Sequence, residues 1–434
     1  MEVKTRFAPS PTGNLHIGGV RTALYAYLIA KKNKGVFALR IEDTDRGRLV
    51  PGAVEDIVET LKWLGLNFDG EVILQSDRKK IYQEYAQKLL EQGAAYKGEG
   101  AVWFKTVKEG KTATFDLVGN RQIEFDNSTQ DDFVILKSDG FPTYHLAHVV
   151  DDHLMQTNPV IRGAEWISSL PKHVMLFNTL GWEIPNYAHL PVILGPDKSK
   201  LSKRHGAKAV SEFRQDGFLA EAILNYMALL GWTPKNNREI LSLNEMIKMF
   251  DLADVHLSNP VFDVTKLEWM NGEYIRKTQN SKLKTQILEY LKYLAGGAIP
   301  DHPTEGEVAK LTPLVKDRIK KLSDFIPLTD FIWEKCEYDM AVFEKLGIKN
   351  LGEILDKIIY TLEEMKQPWE GETFEKKFRG LADEVKISAK DMFQLLRVAV
   401  SGQSVTPPLF ESIQILGEEE TIKRVKAALS FLMA

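Results

Sequence analysis

The stretch Arg6–Leu28, RFAPSPTGNLHIGGVRTALYAYL, sets a strand end, a glycine-bearing turn and a histidine against the start of a helix. That order suits an anion, because the free N–H groups and positive dipole end of a helix start favour phosphate. Gly13 and Gly18 have the spacing of the two P-loop glycines, but Gly19 and Val20 replace the Lys and Ser/Thr that should follow. The positive charge has to come from elsewhere in the chain.

Working outward, VKTRFA reads as a strand, and Val20, Ala23, Leu24, Tyr27 and Leu28 recur at helical spacing until Gly35. VFALRI is the next strand. Pro51 opens a second helix through Ile57, Leu61 and Leu64, and RKKIYQEYAQKLLEQG gives a third, amphipathic one. Strand alternating with helix predicts a parallel sheet. From about Ala95 to Leu136 the short β-like runs AVWFKTV, TATFDLV and FVILKSD interrupt the pattern, and the strand HLPVILG resumes it. Beyond that point nearly everything is helical by period, from FLAEAILNYMALLG to TIKRVKAALSFLM. The expected fold class is α/β: a Rossmann-like doubly wound parallel sheet with a small β-rich insertion, followed by an all-α C-terminal region. A nucleotide should lie at the carboxyl ends of the strands.

The loop GPDKSKLSKRHGAK supplies the missing charge, with Lys198, Lys200, Lys203, Arg204 and Lys208 against Asp197. A glycine-hinged basic loop can close over a triphosphate and deliver charge when the transition state needs it. A solvated charge run is the plainer alternative. At 434 residues and 44% hydrophobic, the chain has room for roughly two to four domains. Its net charge of -4 means that a nucleic-acid partner would meet local basic patches. Cys336 is the one cysteine, which excludes internal disulfides and a multi-thiolate zinc site and fits a reducing compartment. MEVKTRFAPS has no signal-peptide core and no apolar run reaches membrane-spanning length, so a cytoplasmic protein with no membrane association is expected. His145, His148, Asp151, Asp152 and His153 in YHLAHVVDDH could be drawn as metal ligands, but neither an HExxH signature nor a cysteine supports a protein-held metal. No GxGxxG follows the first strand, which speaks against a dinucleotide oxidoreductase.

PSPTGNLHIGG with KLSKR resembles the paired signatures of class I aminoacyl-tRNA synthetases. RFAPSPTG, LRIEDTD, YHLAHVVDDH, VIRGAEW and KLSKRHG, in that order, resemble the bacterial-type glutamyl-tRNA synthetases from Arg6 to the C-terminal TPPLFESIQILGEE. The resemblance implies ATP-dependent activation of L-glutamate and its transfer to the 3′ end of tRNA-Glu. The alternatives are an enzyme that also charges tRNA-Gln and, from another class, a synthetase-like nucleotidylyltransferase. Glutaminyl relatives carry a β-barrel anticodon region, whereas LGEILDKIIYTLEEM and AKDMFQLLRVAV read as helices.

By this resemblance, His16, Lys200 and Lys203 are catalytic and bear on the phosphates, with His16, Gly18, Gly19, Glu165, Trp166, Val192, Ile193, Lys200 and Lys203 holding ATP. Arg6, Ser10, Glu42, Tyr144, His148 and Arg162 form the glutamate pocket, with Glu42 facing the ammonium and Arg162 the side-chain carboxylate. An arginine's planar fork of donors suits a carboxylate. Gly19 stands where many class I enzymes carry a second histidine, and His148 where some relatives have asparagine. The segment between GAAYKGEG and TATFDLVGNRQIEFD is shorter than in most relatives and lacks their YDGxxR-type sequence. Magnesium carried in with ATP is the one metal expected, without zinc. The expected division is a catalytic domain over 1–195 with an acceptor-end insertion at about 96–137, a stem-contacting region over 196–285 and an anticodon-binding region over 286–434, in a monomer.

Overall fold

The computed structural model describes residues 2–201, 208–298, 301–365 and 369–434. The chain divides into two compact units, one of residues 1–214 and 218–270, the other of 215–217 and 271–434.

In the first unit, β1 (Lys4–Phe7) leads into α1 (Ile17–Lys32), then β2 (Val36–Ile41), α2 (Ala53–Trp63), β3 (Ile73–Leu74) and α3 (Lys79–Glu91). Five short strands follow: β4 (Ala95–Gly98), β5 (Ala101–Phe104), β6 (Lys111–Asp116), β7 (Arg121–Asp126) and β8 (Phe133–Leu136). The sheet then resumes through α4 (Tyr144–Leu154), β9 (Val160–Gly163), α5 (Leu170–Thr179) and β10 (Tyr187–Leu190). β1 pairs in parallel with β2, β2 with β3, and β9 with β10. Parallel strands of this kind are apolar along their length because helices cover both faces. Phe37, Leu39 and Ile41 of β2 and Tyr187, Ala188 and Leu190 of β10 are accordingly buried. Backbone bonds from Lys4 N–H to Asn158 O (3.3 Å) and from Asn158 N–H to Lys4 O (2.8 Å) join the two halves beside β1 and β9. The chain order runs outward from this seam in both directions, which makes it the topological switch point where α/β sheets bind ligands.

The β-rich run divides between two sheets. β4, β5 and β8 form a separate antiparallel sheet, whereas the β6–β7 hairpin joins the catalytic sheet through the pairing of Asp116 with Tyr187 on β10. Asp116 is fully buried and its Oδ1 accepts from the His189 and Val118 N–H groups (both 3.1 Å), which ties the hairpin down.

The second unit is helical throughout its described residues. Helix Leu351–Glu364 shows why: Ile354, Leu355, Ile358, Ile359 and Leu362 fall on one face and are buried. They pack with Phe378, Met392, Leu395, Leu396 and Val425 from neighbouring helices. Among the described residues no helix is long and apolar enough to cross a membrane.

Candidate active site

A cleft of about 880 Å³ opens at the carboxyl ends of β1, β2 and β9. The turn between β1 and α1 forms its floor. His16 caps α1, its Nδ1 accepting from the Gly19 N–H at 3.3 Å. Glycine at 18 leaves this arrangement undisturbed, because a Cβ there would lie 3.0 Å from the His16 ring atoms Cε1 and Nδ1 and the imidazole would have to give by a few tenths of an ångström. A Cβ on Gly19 would lie 2.9 Å from Leu15 Cδ1. The turn is held by Asp56 in the first turn of α2, whose carboxylate accepts from the Leu15 N–H at 2.8 Å.

The cleft brings together Arg6, Ser10, His16, Gly18, Gly19, Glu42, Tyr144, Arg162, Glu165 and Trp166 of the expected set. Thr12, Asn14, Arg48 and Lys137, which sequence reasoning did not select, share its lining. His148 does not line it. That histidine is fully enclosed behind the cleft wall, 3.4 Å from both Arg6 Nη2 and Arg162 Nη1. Val192 and Ile193 also lie outside the lining: the Val192 N–H donates to Asn259 Oδ1 (3.1 Å) and the Ile193 carbonyl accepts from the Leu201 N–H (3.0 Å). Tyr144 and Trp166, expected in different subsites, have ring centroids 4.1 Å apart and form one wall.

Lys203 lies outside the described residues, but both flanks of its loop are anchored in this unit. Lys200 bridges Leu194, and Ala209 bridges His16, with the Val210 N–H donating to the Leu15 carbonyl at 2.9 Å. The far downstream loop therefore returns to the glycine turn. Burial and then the positive charge of Lys200 lower the His16 pKa, with Glu165 opposing, so the imidazole is kept neutral.

The two arginines of the expected glutamate pocket differ sharply. Arg6 turns its fork onto Asp152, with Nε to Oδ1 at 2.9 Å and Nη2 to Oδ2 at 3.1 Å, while Nη1 donates to the Ile161 carbonyl. Arg40 adds a 2.6 Å bond to the same Asp152 and reaches Glu42 at 3.1 Å. Burial opposes ionisation of Asp152, yet Arg40, Arg6 and His148 hold its pKa well below the usual carboxylate range. For Glu42 burial wins and raises the pKa against the pull of Arg40 and Arg6, leaving a carboxylate that an ammonium group would stabilise. Arg162 is 5% exposed and makes no ion pair with a carboxylate among the described residues. Its Nε donates to His189 Nε2 at 3.1 Å, and its Nη1 approaches His173 Nδ1 at 3.0 Å. His173 and His189 were missed in the sequence; the available signal was a titratable residue inside the apolar runs LPKHVML and AHLPVIL.

The family models add a decisive observation. The catalytic domain of class I tRNA synthetases (E and Q) matches residues 2–101 and 97–269, and an anticodon binding domain matches 282–429. The chain is also 40% identical to a glutamate–tRNA ligase of Dehalococcoides mccartyi, covering 99% of this chain and 98% of that one. It belongs to the class I glutamate–tRNA ligase family. Among the family's members, a Finegoldia magna glutamate–tRNA ligase is 37% identical, with 99% of both chains covered. A crystal structure of a glutamate tRNA ligase from Elizabethkingia meningosepticum in complex with its amino acid superposes with a TM-score of 0.85 at 31% identity, covering 99% of each chain. A glutamate–tRNA synthetase structure from Elizabethkingia anophelis gives 0.81 at 30% identity. Family membership thus rests on both units of the chain and on the whole fold.

Proposed function

We propose that this chain activates L-glutamate with magnesium-bound ATP and transfers the glutamyl group to the 3′ end of tRNA-Glu. The observation that carries this reading is Arg162, a buried guanidinium with no carboxylate partner among the described residues, opening on a cleft that also holds the Glu42 carboxylate. A substrate with a carboxylate side chain and an ammonium group complements that pair. Glutamine would leave the Arg162 charge unanswered beside a neutral amide.

Activation is attack of the substrate's α-carboxylate on the α-phosphorus of ATP, with diphosphate leaving. No enzyme nucleophile is needed, only alignment and neutralisation of the growing phosphate charge. In this reading the neutral His16 and the start of α1 meet the phosphates, and Lys200 and Lys203 bring positive charge from the loop. Ser10, Glu42 and Tyr144 orient the amino acid, and Glu165 and Trp166 hold the adenosine end. Arg6, with its fork on Asp152, shapes the pocket wall and offers its remaining Nη hydrogens to the substrate. Residues 196–285 contact the tRNA stem and 286–434 read the anticodon, in a cytoplasmic monomer. Splayed anticodon bases are read by stacking and by hydrogen bonds on their edges.

The test is aminoacylation with radiolabelled glutamate or glutamine on purified tRNA-Glu and tRNA-Gln. Glutamate on tRNA-Glu is the expected product. Glutamate on both tRNAs would keep the chemistry and widen the tRNA choice, whereas glutamine incorporation would overturn the pocket assignment.

A further inference from the structure

Arg162 ends β9 among three histidines from three elements: His148 on α4, His173 on α5 and His189 on β10. Each of these rings is at most 1% exposed. His189 Nε2 lies 3.1 Å from Arg162 Nε, His173 Nδ1 lies 3.0 Å from Nη1, and His148 Nε2 lies 3.4 Å from Nη1. The Tyr144 hydroxyl and the Trp166 carbonyl, each at 3.4 Å, are its other polar neighbours, and the Tyr187 ring lies 4.8 Å away.

A guanidinium only donates and cannot give up its proton, so each ring nitrogen facing it must present a lone pair. The proton of each ring then sits on the opposite nitrogen, and in every case that nitrogen has an acceptor. His148 Nδ1–H faces Asp152 Oδ2 at 3.0 Å, and His189 Nδ1–H faces Asp116 Oδ2 at 3.3 Å. His173 Nε2–H faces His145 Nδ1 at 3.1 Å. One tautomer per ring satisfies the contacts with Arg162; at His148 the Nδ1 proton goes to Asp152 Oδ2 at 3.0 Å, nearer than the Arg6 Nη2 that also faces this nitrogen at 3.4 Å and bonds Asp152 instead. Asp116 and Asp152 are thus hydrogen-bonded to the guanidinium through an intervening imidazole rather than directly. Arg6 and Arg40, by contrast, bond Asp152 directly.

We propose that His148, His173 and His189 are positioning residues for amino-acid specificity: they hold Arg162 with neutral acceptors in place of a carboxylate, leaving its charge for the substrate's side-chain carboxylate. This rests on the reading above, in which Arg162 meets that carboxylate. Buried guanidinium groups ordinarily need a paired anion. A built-in carboxylate would satisfy Arg162 and compete with the substrate, whereas an imidazole lone pair fixes the plane of the group and leaves the charge. Burial lowers the pKa of all three rings, with the Arg162 charge in the same direction, so the acceptors stay neutral in the ligand-free protein.

The experiment measures steady-state glutamate activation with tRNA present for the full-length His173→Asn, His173→Asp, His189→Asn and His189→Asp variants, with KM for glutamate and for ATP taken separately. The asparagine variants keep a neutral acceptor and should raise the glutamate KM at most a few-fold. The aspartate variants set a carboxylate against Arg162 and should raise it roughly 10–100-fold, with the ATP KM little changed and the preference for glutamate over glutamine narrowed. Equal effects of the Asp and Asn variants would overturn the proposal. Should the aspartate variants not fold, His173→Leu removes the acceptor, and a wild-type glutamate KM in that variant would overturn it as well. An unchanged glutamate KM in Arg162→Ala would instead remove the reading beneath it.

Discussion

Asp152 organises the buried polar wall, since it is fully enclosed and accepts from Arg6 and Arg40 while facing His148. Removing one partner of a buried ion pair leaves uncompensated charge, so Asp152→Asn should lower unfolding free energy by about 3–5 kcal/mol, read from urea midpoints. Arg162→Ala should raise the glutamate KM with little effect on ATP, and a variant that lost ATP binding alone would refute the assigned role. The histidines also set an acid limit. His145 is pushed down to about 4 and His148 to about 3, both chiefly by burial, and His173 and His189 move the same way. An unfolded chain takes up protons at these positions near pH 6.5 while the folded chain does not, so the unfolded state binds more protons below that pH. Stability is then complete above about pH 6.5 and falls on acidification by roughly 1.4 kcal/mol per pH unit for each such histidine. Urea midpoints from pH 7.5 to pH 5 should decline. A flat profile would mean that the rings are protonated in the folded protein.

At the scale of elements, the site is a helix start, three strand ends and one returning loop. The His16 cap and Gly18 are a matched pair, because a Cβ on residue 18 would lie 3.0 Å from the imidazole and displace it by a few tenths of an ångström. Gly18→Ala should leave the fold intact and slow adenylate formation by roughly 10–100-fold, the scale of a small misplacement near reacting groups. Tritium-labelled adenylate captured in single turnovers reads this directly. The basic loop carries its own expectation: Lys203→Ala should depress activation by about two to four orders of magnitude while leaving tRNA affinity nearly unchanged. Adenylate formation at the wild-type rate would return the loop to solvated surface. Gly163 is a similar fit at the end of β9, where a Cβ would lie 2.1 Å from Glu165 Oε2.

Across the whole molecule, each unit has its own interior. Leu355 is fully buried in the helical unit, among side chains from several helices. Leu355→Ala should destabilise that unit by about 2–5 kcal/mol, and pulse proteolysis would show cleavage within 271–434 at lower urea than in the wild type. Cleavage confined to the first unit would contradict this placement of the core.

The sequence by itself determined the fold class, the helical second half and ten of the residues that line the cleft. Helical spacing from Val20 to Leu28, the apolar strand VFALRI and the glycine turn before α1 are local signals set by backbone geometry within a few residues, and they survive without knowledge of neighbours. The ordered signatures extended that reading to Arg6, His16, Glu42 and Arg162, which the fold brings into one cleft. Only the tertiary structure decided which arginine is already paired. Arg6 and Arg162 look alike in sequence, and the difference comes from Asp152, His173 and His189, which reach them from α4, α5 and β10. It also sent the β6–β7 hairpin to the catalytic sheet and enclosed His148 behind the cleft wall. Those outcomes depend on distances between groups far apart in the chain, where burial makes a few ångströms the difference between a neutralised charge and one held open.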